Sequence, residues 1–303
     1  MKNQIDELLK LKKEKNAVIM AHYYTTDEIQ SIADHVGDSY YLAKVARELD
    51  ADTVVFCGVA FMAESVKILN PEKTVLVPDM NADCAMAHMA NAEKIAELRQ
   101  KYEDLAVVCY INSTAALKTV SDVCVTSSNA LKIVNALPNK NIFFIPDGNL
   151  GRYVKDKVRD KNIILNDGYC PVHASVTEEQ LKELKTKHPS AVVLTHPECV
   201  EGVVAMSDVV GSTADLIKYA EASDKTEFIV CTEEGVGFPM RKNSPDKSFY
   251  FVGNEFICRD MKLNTLEKVI NVLKTGENEV KIDEEVRVKA LIPLDRMLEV
   301  AKK

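Results

Sequence analysis

Cys84, Cys170 and Cys258 stand 86 and 88 residues apart in a chain of 303, and other residues keep the same interval. His22, Tyr110 and His196 are separated by 88 and 86, each directly after an apolar run, at 17–21, 105–109 and 191–195. Two positions later come Tyr24, Asn112 and Glu198, and the pairs Asp38-Ser39, Thr126-Ser127 and Ser212-Thr213 repeat the spacing again. Self-similarity at a fixed period decides a fold, because each copy is one supersecondary unit that packs against its neighbours. The period predicts three copies of one unit, with three thiols and three sets of polar residues facing one centre.

Each copy opens on a charged amphipathic segment, at 4–15, 92–103 and 178–187, with apolar residues at helical spacing such as Ile5, Leu8, Leu9 and Leu11. The first apolar run and a polar loop follow, then a second helix predicted over 40–49, 129–137 and 214–222. A second strand is predicted over 53–57, 142–145 and 228–231, and a third over 74–77, 163–165 and 249–252. A further helical stretch precedes the third strand in the first two copies. Strand runs this continuously apolar are buried on both faces, hence parallel and covered by helices. Strand–helix alternation builds three-layer units with right-handed crossovers.

The expected fold class is therefore α/β: three pseudo-symmetric three-layer αβα domains with parallel sheets, arranged in a triangle around a central site. The expected boundaries are 1–85, 86–171 and 172–262. The segment 263–303 carries Leu266, Val269, Ile270 and Leu273 at helical spacing, then a last helix over 281–302 with Pro293 inside it. These helices are expected to pack back on the first domain. Parallel sheets bind ligands at the carboxyl ends of their strands, which is where the repeated polar residues lie.

Hydrophobic content of 47% and charged content of 28% suit a globular chain. The longest uncharged apolar stretch, 54–63, is about half the ~20 residues of a membrane span. The first sixteen residues mix Leu and Ile with Lys, Asp and Glu, unlike the apolar centre of a signal peptide. A cytoplasmic protein with no membrane partner is expected. Net charge is −8 and the lysines form no basic patch, which argues against nucleic acid. A cleft can still focus positive potential on an anionic substrate.

Eight cysteines contain no Cys-x-x-Cys, so any metal site must gather ligands distant in sequence. A free cysteine is often a small buried hydrophobe. That reading suits Cys57, Cys109 and Cys231, which end strand runs, and is favoured for Cys124 and Cys199. It suits Cys84, Cys170 and Cys258 poorly, because they lie in loops beside Asp83, Asp167-Gly168, Pro171 and Asn254. Thiolates favour zinc and iron–sulfur sites. Three could bind zinc with His173 as fourth ligand, or hold a 4Fe–4S cluster with one iron open.

Ser39, Ser127 and Thr213 precede or begin helical stretches. They act as simple caps, or three helix starts aim their amides at one anion; both readings stand. His35, His88 and His188 read as structural, whereas His22 and His196 superpose in the repeat. Glu198 is the candidate general base, its pKa expected to rise in a closed junction. Tyr24 and Tyr110 offer hydroxyls for proton transfer or for orienting a phosphate ester. The stretch Glu233-Glu234-Gly235-Val236-Gly237 opens no nucleotide-binding helix and reads as a turn beside the site.

These segments resemble the quinolinate synthase family, the A protein of NAD biosynthesis. Ala21-His22-Tyr23-Tyr24 with Gly37-Asp38-Ser39 looks like its opening. Tyr110-Ile111-Asn112-Ser113, His196-Pro197-Glu198-Cys199 and Gly211-Ser212-Thr213 look like its later motifs. The resemblance covers about residues 18–261. It implies three αβα domains around one 4Fe–4S cluster held by Cys84, Cys170 and Cys258. It implies condensation of iminoaspartate (iminosuccinate) with dihydroxyacetone phosphate to quinolinate, phosphate and water.

Carried over by motif, His22, Ser39, Tyr110, Ile111, Asn112, Ser127, His196, Pro197, Glu198 and Thr213 would meet substrate, with Tyr24 and His173 nearby. Glu198, Tyr24, Tyr110 and His22 would be catalytic. Functional coupling to L-aspartate oxidase or dehydrogenase is implied as well. Some members place the last cluster cysteine in Cys-x-x-Cys-x-x-Cys; here Cys258 stands alone, so no redox-switch disulfide is expected there. The alternatives are a diphthamide-type radical enzyme using S-adenosylmethionine, which would not need the His22/Tyr24 and His196/Glu198 loops, and a non-enzymatic iron–sulfur sensor.

Overall fold

The computed structural model describes residues 2–253 and 256–302; Asn254 lies outside the described residues. In the first unit α1 (Lys2–Glu14), β1 (Ala17–His22), α2 (Asp27–Ile32), β2 (His35–Gly37), α3 (Ser39–Ala46), β3 (Thr53–Cys57), α4 (Ala60–Leu69) and β4 (Thr74–Leu76) precede a 3-10 turn at Ala85–His88. The second holds α5 (Ala92–Lys101), β5 (Leu105–Tyr110), α6 (Ala115–Lys118), β6 (Val123–Val125), α7 (Ala130–Ala136), β7 (Asn141–Ile145), α8 (Gly148–Lys157), β8 (Asn162–Leu165) and α9 (Pro171–Ala174). The third holds α10 (Glu178–Lys187), β9 (Val192–Thr195), α11 (Glu201–Ala205), β10 (Val209–Val210), α12 (Thr213–Ala222), β11 (Glu227–Cys231), α13 (Gly237–Asn243), β12 (Ser248–Phe251) and α14 (Arg259–Lys262). Helices α15 (Leu266–Thr275) and α16 (Glu284–Lys302) close the chain.

Each sheet has four parallel strands, in the orders β2-β1-β3-β4, β6-β5-β7-β8 and β10-β9-β11-β12. The two long apolar strands pair at the middle of each, in registers such as Ala17↔Thr53, Leu105↔Asn141 and Val192↔Phe228. The fold is the α/β architecture of three parallel-sheet units expected from the repeat.

Sequence reasoning saw three strands per unit and missed the edge strands β2, β6 and β10. Two or three residues carry no periodic signal. Those strands are held by a local device. Asp34, Asp122 and Asp208 each accept a hydrogen bond from the backbone N–H of the neighbouring strand, at Ile19 (2.8 Å), Val107 (2.6 Å) and Val193 (2.8 Å). A second device recurs at Lys73, Lys161 and Lys247. Their ammonium groups donate to carbonyls after or at the ends of α3, α7 and α12, at 2.6–2.9 Å for Leu49 and Ala51, Leu137 and Asn139, and Ala220 and Ser223. A cation there satisfies orphan carbonyls and opposes the helix dipole. Both sets keep the 88 and 86 spacing.

The Glu233–Gly237 stretch is not only a turn. A 3-10 segment at Glu234–Val236 runs into α13. Pro239 lies in the first turn of α13, where a missing N–H breaks no helical bond.

Units one and two share a continuous core that includes Met20, Phe56, Val107 and Phe144, and Ala290, Leu294 and Met297 of α16 join it. Unit three buries its sheet faces in two clusters, around Val193 with Ile229 and around Leu194 with Phe228. Helix α15 packs on α1 and β3 through Leu266, Val269 and Leu273. Helix α16 lies against α4 of the first unit and against α6, β6 and α7 of the second, most extensively α6 and β6, so the C-terminal helices bridge two units. Among the described residues, no helix is long and apolar enough to cross a membrane.

Candidate active site

Loops from the carboxyl ends of all three sheets meet around one cavity of about 120 Å³. Cys84, Cys170 and Cys258 all face it, as do His22, Tyr24, Ser39, Tyr110, Asn112, Ser127, His173, His196, Glu198 and Thr213. Ile111 and Pro197 do not line it. Ile111 is buried in the core beside α3, and its backbone carries Tyr110 and Asn112 to the wall.

The cysteine loops are built alike three times. Each is pinned by the backbone N–H of the third residue past the central strand, donating to the carbonyl two residues before the cysteine. These bonds are Ala60 to Ala82 (2.9 Å), Gly148 to Gly168 (2.7 Å) and Glu234 to Phe256 (2.9 Å). Each cysteine then caps a short helical turn with extended backbone. Burial pushes the thiols up, Cys84 to about 12 and Cys258 to about 11. Amides three residues on, at Ala87, His173 and Met261, pull the other way by donating to sulfur. The amide donors favour the thiolate, the form that ligates a metal. Cys57, Cys109, Cys124, Cys199 and Cys231 are buried in strands and loops away from the cavity, as packing residues.

Among the described residues, the one set of three ligand atoms lying within 4.8 Å of one another is Cys170, His173 and Glu198. The three thiols are thus spread more widely than the ~3.8 Å between sulfurs around a single zinc, as tetrahedral 2.3 Å bonds require. Both ring nitrogens of His173 are also engaged. Nδ1 lies 2.8 Å from Glu198 Oε2 and 3.2 Å from Cys170 Sγ, and Nε2 lies 3.0 Å from the Thr232 hydroxyl.

From His173 a bonded chain crosses the cavity wall. Thr232 Oγ1 meets the Tyr24 hydroxyl at 3.0 Å, and that hydroxyl meets Thr213 Oγ1 at 2.9 Å. Thr232 escaped sequence reasoning because its repeat partners are Gly58 and Pro146, which carry no polar pattern.

His22 and His196 occupy equivalent poses. Nδ1 of each accepts from the backbone N–H two residues on, of Tyr24 (3.2 Å) and Glu198 (3.4 Å). That contact leaves the proton on Nε2. Burial pushes both rings down to about 3, so they stay neutral donors. Burial likewise keeps Tyr24 and Tyr110 as neutral phenols.

Glu198 differs from its expected raised pKa. Burial pushes it up, but the His173 ring beside it and the Tyr110 hydroxyl, both hydrogen-bonded to it, outweigh that and hold it below the ordinary carboxylate range. It is an ionised carboxylate.

The helix-start residues are less uniform than their sequence pattern. Asp38 and Ser212 cap α3 and α12, placing Ser39 and Thr213 as first helical residues. In unit two Asn129 is the cap residue, and Ser127 stands in the preceding turn. Asn112 Oδ1 is buried without a hydrogen-bond partner, an acceptor left for a ligand at the cavity wall.

The family model for quinolinate synthetase A protein (NadA) matches residues 6–299. The quinolinate synthase of Fusobacterium nucleatum is 52% identical over 296 residues, covering 98% of this chain and 99% of the relative. That of Clostridioides difficile is 50% identical over 296 residues, covering 98% and 97%. That of Caldicellulosiruptor bescii is 48% identical over 295 residues, covering 97% of each. With a family match and identities this high over nearly the whole length, the chain belongs to the quinolinate synthetase A protein family, enzymes that make quinolinate in NAD biosynthesis.

Proposed function

We propose that the enzyme condenses iminoaspartate with dihydroxyacetone phosphate, releasing phosphate and water, at a 4Fe–4S cluster held by Cys84, Cys170 and Cys258. The observation that carries this is the threefold delivery of equivalent thiols to one cavity that also holds the Glu198–His173 pair. The thiol spacing and the double engagement of His173 favour a polynuclear cluster with an open position over zinc. When bound, such a cluster supplies a Lewis-acidic iron for loss of a hydroxyl group.

The protein's own groups divide the remaining work. Neutral Nε2–H donors of His22 and His196, with the amide-rich starts of α3 and α12, take the carboxylates and phosphate. Glu198 accepts protons from carbon. Because His173 holds it so low, the pair and not the carboxylate alone is the acid–base unit, with Thr232 and Tyr24 extending the hydrogen-bonded path. Tyr110, bonded to Glu198, is a donor and not a base.

Iminoaspartate would come from L-aspartate oxidase or dehydrogenase, in the cytoplasm. Family membership favours this reading over the S-adenosylmethionine radical enzyme and the iron–sulfur sensor. The test is an anaerobic assay of quinolinate from both substrates, with and without S-adenosylmethionine, alongside iron and sulfide analysis. Quinolinate without S-adenosylmethionine, from protein with four irons per chain as a 4Fe–4S cluster requires, is expected. Activity unchanged after complete removal of iron would overturn the cluster reading.

A further inference from the structure

Every cysteine loop is tied to its own sheet by one backbone bond, yet two of the three carry a second tie. In unit two, Asp147 is fully buried; its carboxylate accepts from the N–H of Leu150 (2.7 Å) and of Cys170 (3.2 Å). In unit three, Glu233 is fully buried; it accepts from the N–H of Cys258 (3.0 Å) and of Gly235 (2.7 Å), and from Lys262 Nζ (2.8 Å). The two acids are repeat-equivalent, each two residues past the central strand β7 or β11.

Unit one has Val59 at that place. There the Cys84 N–H turns to the adjacent Asp83 carboxylate (2.7 Å), which is half-exposed and also holds the exposed His88 ring (2.7 Å). A bond to the neighbouring residue orients the amide without tying the loop to the sheet. A buried acceptor bonded by both the loop and the strand end shares its hydrogen bonds with no water, so breaking one leaves a buried amide unpaired.

Resting on the cluster reading above, we propose that Asp147 and Glu233 are positioning residues. They fix the Cys170 and Cys258 loops before iron arrives, and leave the Cys84 loop as the arm through which the cluster is taken up and lost.

The test is hydrogen exchange on the full chain with iron removed, read by peptide, together with iron release to a chelator from the loaded enzyme. In wild type, 82–88 should exchange ahead of 168–174 and 256–262. Of the three cysteine loops, Asp147→Ala should accelerate exchange in 168–174 only, and Glu233→Ala in 256–262 only. Each should speed iron release roughly two- to tenfold, the factor set by one buried hydrogen bond. If the alanine variants fail to fold, Asp147→Asn and Glu233→Gln, which keep one acceptor oxygen, should show the same local pattern at smaller size. Equal exchange of all three loops in wild type, or loosening of all three by either substitution, would overturn the proposal. A failure of the cluster reading would show separately, as anaerobically purified protein without iron and sulfide whose three loops still exchange in the order given.

Discussion

Thr232→Val removes one hydroxyl from the middle of the bonded chain while keeping a branched side chain of nearly the same shape. Thr232 is fully buried, and its oxygen lies 3.0 Å from both the Tyr24 hydroxyl and His173 Nε2. After the change Tyr24 still has Thr213, whereas His173 Nε2 loses its partner. The main cost is one orphaned buried nitrogen, ~1–3 kcal/mol. If the whole of it is felt in the transition state, kcat falls about 5- to 150-fold. Thr232→Ser restores the hydroxyl and should recover most of the loss. The assay is steady-state quinolinate formation by anaerobic protein of matched iron content, with thermal unfolding followed in parallel. Should the valine variant turn over like wild type with its iron intact, the chain from Tyr24 to Glu198 has no part in proton movement. His173 would then only position Glu198.

Ser in place of Cys84, Cys170 or Cys258 should abolish the brown chromophore and the activity, whereas Cys199→Ser should keep both; full iron in Cys84→Ser protein would refute the ligand set. Glu198→Gln should retain the cluster while turnover drops ~10²–10⁴-fold, the contribution of a positioned acid–base group, and near-normal turnover would move the base elsewhere. Burial holds His22 and His196 near 3, below the ordinary 6.5, so their contribution to stability is full above pH 6.5 and is lost as pH falls from there towards 3. Urea unfolding of the iron-free chain between pH 6.5 and 5 should show wild type losing up to ~1.4 kcal/mol per pH unit more than His22→Asn; parallel pH profiles would mean the ring is protonated in the fold.

The architecture was legible because it is written three times. A single apolar run such as that of β9, Val192–Thr195, is ambiguous between strand and buried helix. The same run at three equivalent places, each followed by helix and second strand, is not. Edge strands and the α13 helix were missed because Val209-Val210 and Gly237-Phe238-Pro239 offer too few residues for any period to register. The signal that could have found β10 was Asp208, at the repeat spacing of Asp122 and Asp34. In the site, the thiols and the paired His and Glu positions were visible as repeats. Thr232, Glu233 and Asp147 were not, since each stands where another copy has an apolar residue, a proline or a glycine. The lowered pKa of Glu198 could not be foreseen either. It depends on His173, 25 residues earlier, arriving 2.8 Å away from a different strand end.

The pattern of sameness and difference across the repeat is itself informative about chemistry. Positions that keep one residue type in all three copies do work that each unit needs equally. Asp34, Asp122 and Asp208 hold an edge strand, and Lys73, Lys161 and Lys247 close a helix. The cysteines belong to this class, as expected of ligands to a group that three units share at their junction. Substrates have no threefold symmetry, so under the proposed function the residues that meet them are expected to break the repeat. His22, Tyr110 and His196 do so, as do Tyr24, Asn112 and Glu198, and Gly58, Pro146 and Thr232. The equivalent positions supply a carboxylate from unit three, a hydroxyl from unit one and an amide from unit two, all reaching the same 120 Å³. Val59 against Asp147 and Glu233 is the exception that places asymmetry in the scaffold of the metal site itself. If the proposed cluster sits here, that difference holds it more tightly on two sides than on the third.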